Sequence, residues 1–293
     1  MIKKILFSLL IVSVLTVSCN SDDDNPTTAN LTLNISGLDE LGSDFVFEGW
    51  IIVDGSPVST GTFTSVDFPQ TFSVDQTQLN NSTKFVLTIE PAVDNDPAPS
   101  ATKYLVGDFN GTSADLTTGV IGDFSNISGK YILATPTNGM STNENSGIWF
   151  LDLPNGTPPP LTGLTLPELP DGWKYEGWAV IDGVPVTTGK FTNVNATDEF
   201  DGFSGPDPLG SPNGEDGFFP GEDFLVNAPD GVTFPTDLAG KTAVISIEPS
   251  PDDNAGPFTL KPLVGAIPED AIDHNTYNMG QNLSSLPTGT VTR

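Results

Sequence analysis

The chain has 293 residues, room for one large or two modest domains, and a formal net charge of −28. A surface this acidic repels nucleic acid and anionic lipid headgroups at long range. A single Cys leaves no intrachain disulfide, and a single His removes most zinc sites and most acid–base designs.

Met1 to Ser18 reads as a targeting segment. Lys3 and Lys4 form a positive n-region, and Ile5 to Val17 an apolar h-region too short for a stable membrane span. Leu15-Thr16-Val17-Ser18-Cys19 resembles a bacterial lipobox, which implies cleavage before Cys19 and lipidation of its thiol. Asp22, Asp23 and Asp24 follow. They resemble the acidic tag that sends some lipoproteins to the outer cell surface, and the bland alternative is a solvated linker. Residues 19–30 then form a tether. Acyl chains bind a membrane by burying CH₂ groups, so the expected location is the outer membrane, lipid-anchored and facing the cell surface.

Beyond the tether the chain repeats itself. Phe47-Glu48-Gly49-Trp50-Ile51-Ile52-Val53-Asp54-Gly55-Ser56-Pro57-Val58 returns as Tyr175-Glu176-Gly177-Trp178-Ala179-Val180-Ile181-Asp182-Gly183-Val184-Pro185-Val186. β-branched and aromatic residues on either side of an Asp-Gly step predict a hairpin in each copy. Gly49 and Gly177 predict a close neighbour, such as a large ring, against the backbone. A second block, Phe85 to Pro91, matches Ala243 to Pro249, and the offset between copies grows by 158 − 128 = 30 residues. Those extra residues fall within an acidic insertion, 195–229, expected in a surface loop and dispensable to the repeat. Leu31 to Ile35, Tyr131 to Ala134 and Gly147 to Leu151 predict further strands, and no stretch sustains a helical period. With 30 Gly and 26 Pro punctuating short strands, the expected fold is all-β: two tandem, duplicated, Ig-like β-sandwiches. The first covers residues 31–155 and the second 160–293, with Pro158-Pro159-Pro160 as a stiff boundary.

The repeated blocks resemble the extracytoplasmic C-terminal domain of anti-sigma-K factors. Trp50, Asp54-Gly55, Pro57-Val58, Gly61-Thr62-Phe63 and Thr88-Ile89-Glu90-Pro91 carry the likeness in the first copy. Trp178, Asp182-Gly183, Pro185-Val186, Gly189-Lys190-Phe191 and Ser246-Ile247-Glu248-Pro249 carry it in the second. The resemblance implies a small β-sandwich outside the inner membrane, and a role in envelope signalling as one alternative.

Few residues suggest chemistry. Glu90 and Glu248 each end a strand before Pro, and Lys103 and Lys261 follow at a fixed distance. The expectation is a structural salt bridge in each copy, with a paired acid site as the alternative. Glu48 and Glu176 flank the repeated Trp, which suggests a glycan platform or, more simply, a core indole beside a hydrogen-bonded acid. His274 lacks the Gly-x-Ser-x-Gly setting of a hydrolase nucleophile. In the insertion, Asp198, Asp201, Asp207, Asp216, Glu222 and Asp223 are candidate calcium ligands, since calcium takes oxygen donors alone, although no EF-hand spacing is present. The sequence therefore predicts a non-enzymatic binding or structural lipoprotein with an unidentified protein or glycan partner, calcium as its one candidate cofactor and no nucleic acid. A glycan-uptake role would require exposed Trp residues.

Overall fold

The structure, a computed structural model, describes residues 27–139, 141–206, 219–252 and 254–293. Among these it is almost entirely β. The first half contributes β1 (Thr28–Ser36), β2 (Phe45–Val53), β3 (Ser56–Phe63) and β4 (Gln70–Asp75). A single helical turn-and-a-half, α1 (Gln76–Asn81), is capped by the Asp75 carboxylate, which accepts from Gln78 N at 2.9 Å. Next come β5 (Ser82–Pro91), β6 (Lys103–Asp108), β7 (Ser113–Leu116), β8 (Ser128–Leu133), β9 (Gly147–Trp149) and β10 (Leu151–Asp152). The remainder supplies β11 (Leu161–Thr162), β12 (Leu164–Thr165), β13 (Trp173–Ile181), β14 (Val184–Phe191), β15 (Gly221–Asp223), β16 (Thr242–Pro249), β17 (Leu263–Ala266), β18 (Tyr277–Gln281) and β19 (Thr288–Thr292).

Both predicted hairpins form. Asp54 and Gly55 have φ of 51° and 80°, and Asp182 and Gly183 have 50° and 89°. These left-handed pairs make the tight turns that match strand twist. Each hairpin carries the same bulge, after Gly49 in β2 and after Gly177 in β13. A Cβ at Gly49 would lie 3.0 Å from the Phe85 ring, and one at Gly177 would lie 2.5 Å from the Phe150 ring. The glycines are there to admit those rings.

The two halves build the same sandwich. One layer of the first has the order β3-β2-β5-β6, and its counterpart in the second is β14-β13-β16-β17. The facing layer is β4-β1-β19-β7 in the first and β15-β9-β8-β18 in the second, where β12 extends β9 along β8 and the β17–β18 pairing joins the two layers into one continuous sheet. The register agrees as well. Gly289 of β19 lies opposite Leu116 of β7, and Gly129 of β8 lies opposite Met279 of β18. In the first sandwich Ile35 and Ser36 pair with Gly289 and Thr288. In the second, Leu164 and Thr165 pair with Gly129 and Ser128.

This pairing corrects three sequence expectations. The boundary at residues 155–160 does not divide the sandwiches, because β8, β9 and β10 belong to the second and β19 completes the first. Pro158 to Pro160 lie between β10 and β11, a small hairpin inside the second sandwich. The insertion is not dispensable either: its strand β15 pairs with β9 in the place that β4 takes beside β1. Strand partners depend on the whole chain's closure, which a local alternation of apolar residues does not encode.

One continuous apolar core runs through both sandwiches. Between them the Tyr104 ring packs at 5.6 Å against both Trp173 and Phe258, and the Trp173 indole N–H donates to Lys103 O at 3.1 Å. Arg293 closes the first sandwich. Its guanidinium donates to the carbonyls of Leu79, Ser82 and Gly111 at 2.7, 2.6 and 3.0 Å and lies 4.4 Å over the Phe109 ring. The first of these carbonyls belongs to the last turn of α1, where a cation complements the helix dipole.

Candidate functional site

The repeated Trp residues are structural. Trp50 and Trp178 are 4% and 2% exposed, as expected. Each lies on the outward face of its hairpin layer and begins the same relay. Trp50 Nε1 donates to Thr88 Oγ1 at 2.9 Å, Thr88 donates to Glu90, and the Glu90 carboxylate takes the Ser100 N–H at 2.9 Å. In the second copy Trp178 donates to Ser246 at 2.7 Å, Ser246 to Glu248, and Glu248 takes the Phe258 N–H at 2.9 Å. Burial raises both acids above the ordinary carboxylate range, Glu248 to about 7. The expected bridges from Lys103 and Lys261 do not form: hydroxyl and backbone donors already satisfy both carboxylates. Lys103 is exposed, and burial pulls the Lys261 ammonium down.

The copies differ where Thr62 is replaced by Lys190. Lys190 Nζ lies 2.8 Å from Asp252 and 3.8 Å from Glu176, whose own carboxylate takes Thr187 Oγ1 at 2.5 Å. Glu176, Glu248 and Asp252 are the one set of carboxylates, among the described residues, close enough together to share a cation, and Lys190 is already placed among them.

Among the described residues, the calcium candidates form no group of three close enough to share an ion. Asp207 and Asp216 lie outside the described residues, as do Cys19, Asp22, Asp23 and Asp24. Asp201 is exposed. The other three are buried, and each binds a different part of the protein. Asp198 accepts from Gly221 N at 2.8 Å and Phe200 N at 3.0 Å. Glu222 takes the Ser204 hydroxyl and the Asp223 N–H. Asp223 accepts from the Thr137 N–H and hydroxyl at 2.8 and 2.6 Å and from the Trp149 indole at 3.1 Å. Burial raises Asp198 to about 7, Glu222 to about 8 and Asp223 to about 6. These acids pin the insertion to the sheet, helped by Phe203, which packs against Phe200, Phe224 and Phe234 at 4.9–6.1 Å.

The feature that sequence reasoning missed is a cleft of about 820 Å³ in the second sandwich. Three loops frame it: the β8–β9 connection, Pro235 to Asp237, and Ile272 to His274. Three of its residues have left-handed backbones although none is Gly: Ser141, Asn143 and His274, with φ of 61°, 53° and 56°. Such conformations cost energy and persist only where the surroundings enforce them. Here the enforcement is visible. His274 N donates to Leu133 O at 2.9 Å, Leu238 N to Asn145 O at 3.0 Å, and Glu144 takes the N–H groups of Thr135 and Thr142, both at 3.2 Å. Asn145 Nδ2 donates to Ala271 O at 3.2 Å, which leaves its Oδ1 buried without a partner among the described residues.

The lining includes Glu144, Asp237 and Asp273 and neither Lys nor Arg. Asp273 Oδ1 meets His274 Nδ1 at 2.8 Å. The Ser146 hydroxyl is engaged, donating to Phe224 O and accepting from Thr236 N, both at 2.8 Å. Ile272, exposed, adds an apolar wall. No family model matches the sequence, and comparison with curated proteins and with solved structures returned no match.

Proposed function

We propose that this chain is a lipid-anchored envelope protein facing the cell surface, a binding module without catalytic function, and that the cleft takes a cationic ligand. The cleft carries the reading. It combines three carboxylates, Glu144, Asp237 and Asp273, with neither Lys nor Arg, beside the apolar Ile272. A ligand with ammonium or guanidinium donors and an aliphatic stem complements that surface. The chain's charge of −28 would also speed the approach of a positive partner. Glycan stacking is less well served: all four Trp residues are 2–4% exposed, and the cleft presents no aromatic ring other than the His274 imidazole.

Calorimetry on residues 27–293 tests the cleft, with tetralysine as the probe and tetraglutamate as its control. Tetralysine binds, binds less well in high salt, and loses roughly tenfold in affinity in the Asp237→Asn, Asp273→Asn double variant. Equal binding of both peptides, or of neither, sinks the reading. The anchor is tested separately. Wild-type cells incorporate labelled palmitate into the membrane-bound protein, and Cys19→Ala abolishes both the label and the sedimentation with membranes.

A further inference from the structure

Strands β8 and β19 occupy the same place in two sandwiches, yet each lies in the sandwich other than the one its own preceding strand belongs to. β7 is in the first sandwich, and the next strand, β8, is in the second. β18 is in the second, and the next strand, β19, is in the first. The two connections correspond: a 3₁₀ turn follows β7 at Thr118–Val120 and another follows β18 at Leu283–Ser285. Both strands then open on a hydroxyl residue and glycine, Ser128-Gly129 and Thr288-Gly289. Each glycine lies in close approach. A Cβ at Gly289 would meet Asn34 O at 2.5 Å, and one at Gly129 would meet the Leu263 side chain at 2.9 Å.

We infer that the chain has two closures open to it, related by exchange of these strands, and that two residue pairs select the exchanged one. Counting from the glycines, Tyr131 stands where Val291 stands, and Leu133 where Arg293 stands. All but Arg293 are fully buried. Tyr131 fills the second sandwich against Tyr277, with ring centroids 5.7 Å apart. The first sandwich closes over the smaller Val291. Exchanging the occupants would overpack one core and leave a void in the other, and both faults destabilise. Arg293 adds a lock that Leu133 has no means to copy, because its donors satisfy the carbonyls of Leu79, Ser82 and Gly111 in the first sandwich alone.

Disulfide reporters in the full chain distinguish the closures, in a Cys19→Ser background. Asn34 lies opposite Thr290. The pair Asn34→Cys with Thr290→Cys therefore reports the exchanged closure. Lys130 holds the equivalent register position in β8, so Asn34→Cys with Lys130→Cys reports the unexchanged one. With the native core, the first pair oxidises within the monomer and the second does not. Adding Tyr131→Val with Val291→Tyr makes the disulfide between positions 34 and 130 a major monomeric product. Val291→Asp, which ejects β19, does the same. If neither variant yields that bond, the inference is overturned, whether the first sandwich keeps its amide protection or loses it. Bonds between positions 34 and 130 that form only between two chains overturn it as well.

Discussion

The two sandwiches share strand order, bulges, Asp-Gly turns and the Trp relay, yet the second has the greater burden of buried charge. In the first, Glu90 is the one carboxylate, among the described residues, raised by burial. In the second, Glu176, Asp198, Glu222, Asp223 and Glu248 are all raised. Glu248 repeats the role of Glu90 in the shared relay, so the common scaffold lacks only the other four. They accompany the insertion and the Lys190 cluster, and Asp223 holds Thr137, on the loop that frames the cleft.

The largest expected consequence is a pH dependence concentrated in one half. An acid whose folded pKa exceeds its unfolded value of about 4 favours folding at low pH and loses that advantage as pH rises through the folded value. For Asp223, Asp198, Glu248 and Glu222 the loss begins near the unfolded value of about 4 and is complete by folded values of about 6, 7, 7 and 8. Each group contributes roughly 1 kcal/mol or more over that window, several in all. Amide exchange at pH 5 and pH 8, resolved by segment, should show the second sandwich loosening and the first little changed. Equal loosening in both would contradict the comparison.

Truncating the repeated indoles tests the shared scaffold instead. Trp50→Ala and Trp178→Ala should each cost about 3–5 kcal/mol in chemical denaturation, since each removes a buried aromatic and leaves its relay without a donor. A large difference between the two would mean that the copies do not use the relay alike. Asp223→Ala has no counterpart in the first half. It strands the Thr137 N–H and leaves the Trp149 indole N–H with Ala134 O alone, at a cost of roughly 2 kcal/mol, and should weaken any ligand held by the cleft. The smallest effect comes from making the copies alike. Lys190→Thr removes the partner of Asp252 and Glu176 and should cost about 1 kcal/mol or somewhat more. Thr62→Lys, beside the better-solvated Glu48, should be nearly neutral by the same melts.

The elements that could be read from sequence were those specified by adjacent residues. Asp54-Gly55 and Asp182-Gly183 predicted their turns because a left-handed pair needs those side chains. Gly49 and Gly177 predicted close approach because only glycine tolerates it. The Glu–Lys bridges failed because spacing along the chain says nothing of which donor arrives first, and here the Ser100 and Phe258 N–H groups do. The cleft stayed hidden because its three loops are brought together only by folding, and nothing in Ser141 or Asn143 marks a left-handed backbone in advance. The exchange stayed hidden for a related reason. Ser128-Gly129 and Thr288-Gly289 are too short to announce equivalence, and the property that separates their strands is a volume.

The exchanged strands also give the molecule a mechanical character. The chain crosses between sandwiches twice, at residues 117–127 and again at 282–287, so neither half can swivel about a single linker. A tandem array tethered at one end transmits tension through one connection and extends by rotating there. In this molecule a pull between Thr28 and the cleft is shared by two parallel connections and resisted by the lateral ladders that hold β8 and β19 in place. The cleft would then keep a fixed attitude to the N-terminal strand under load, as a bracket does and a hinge does not.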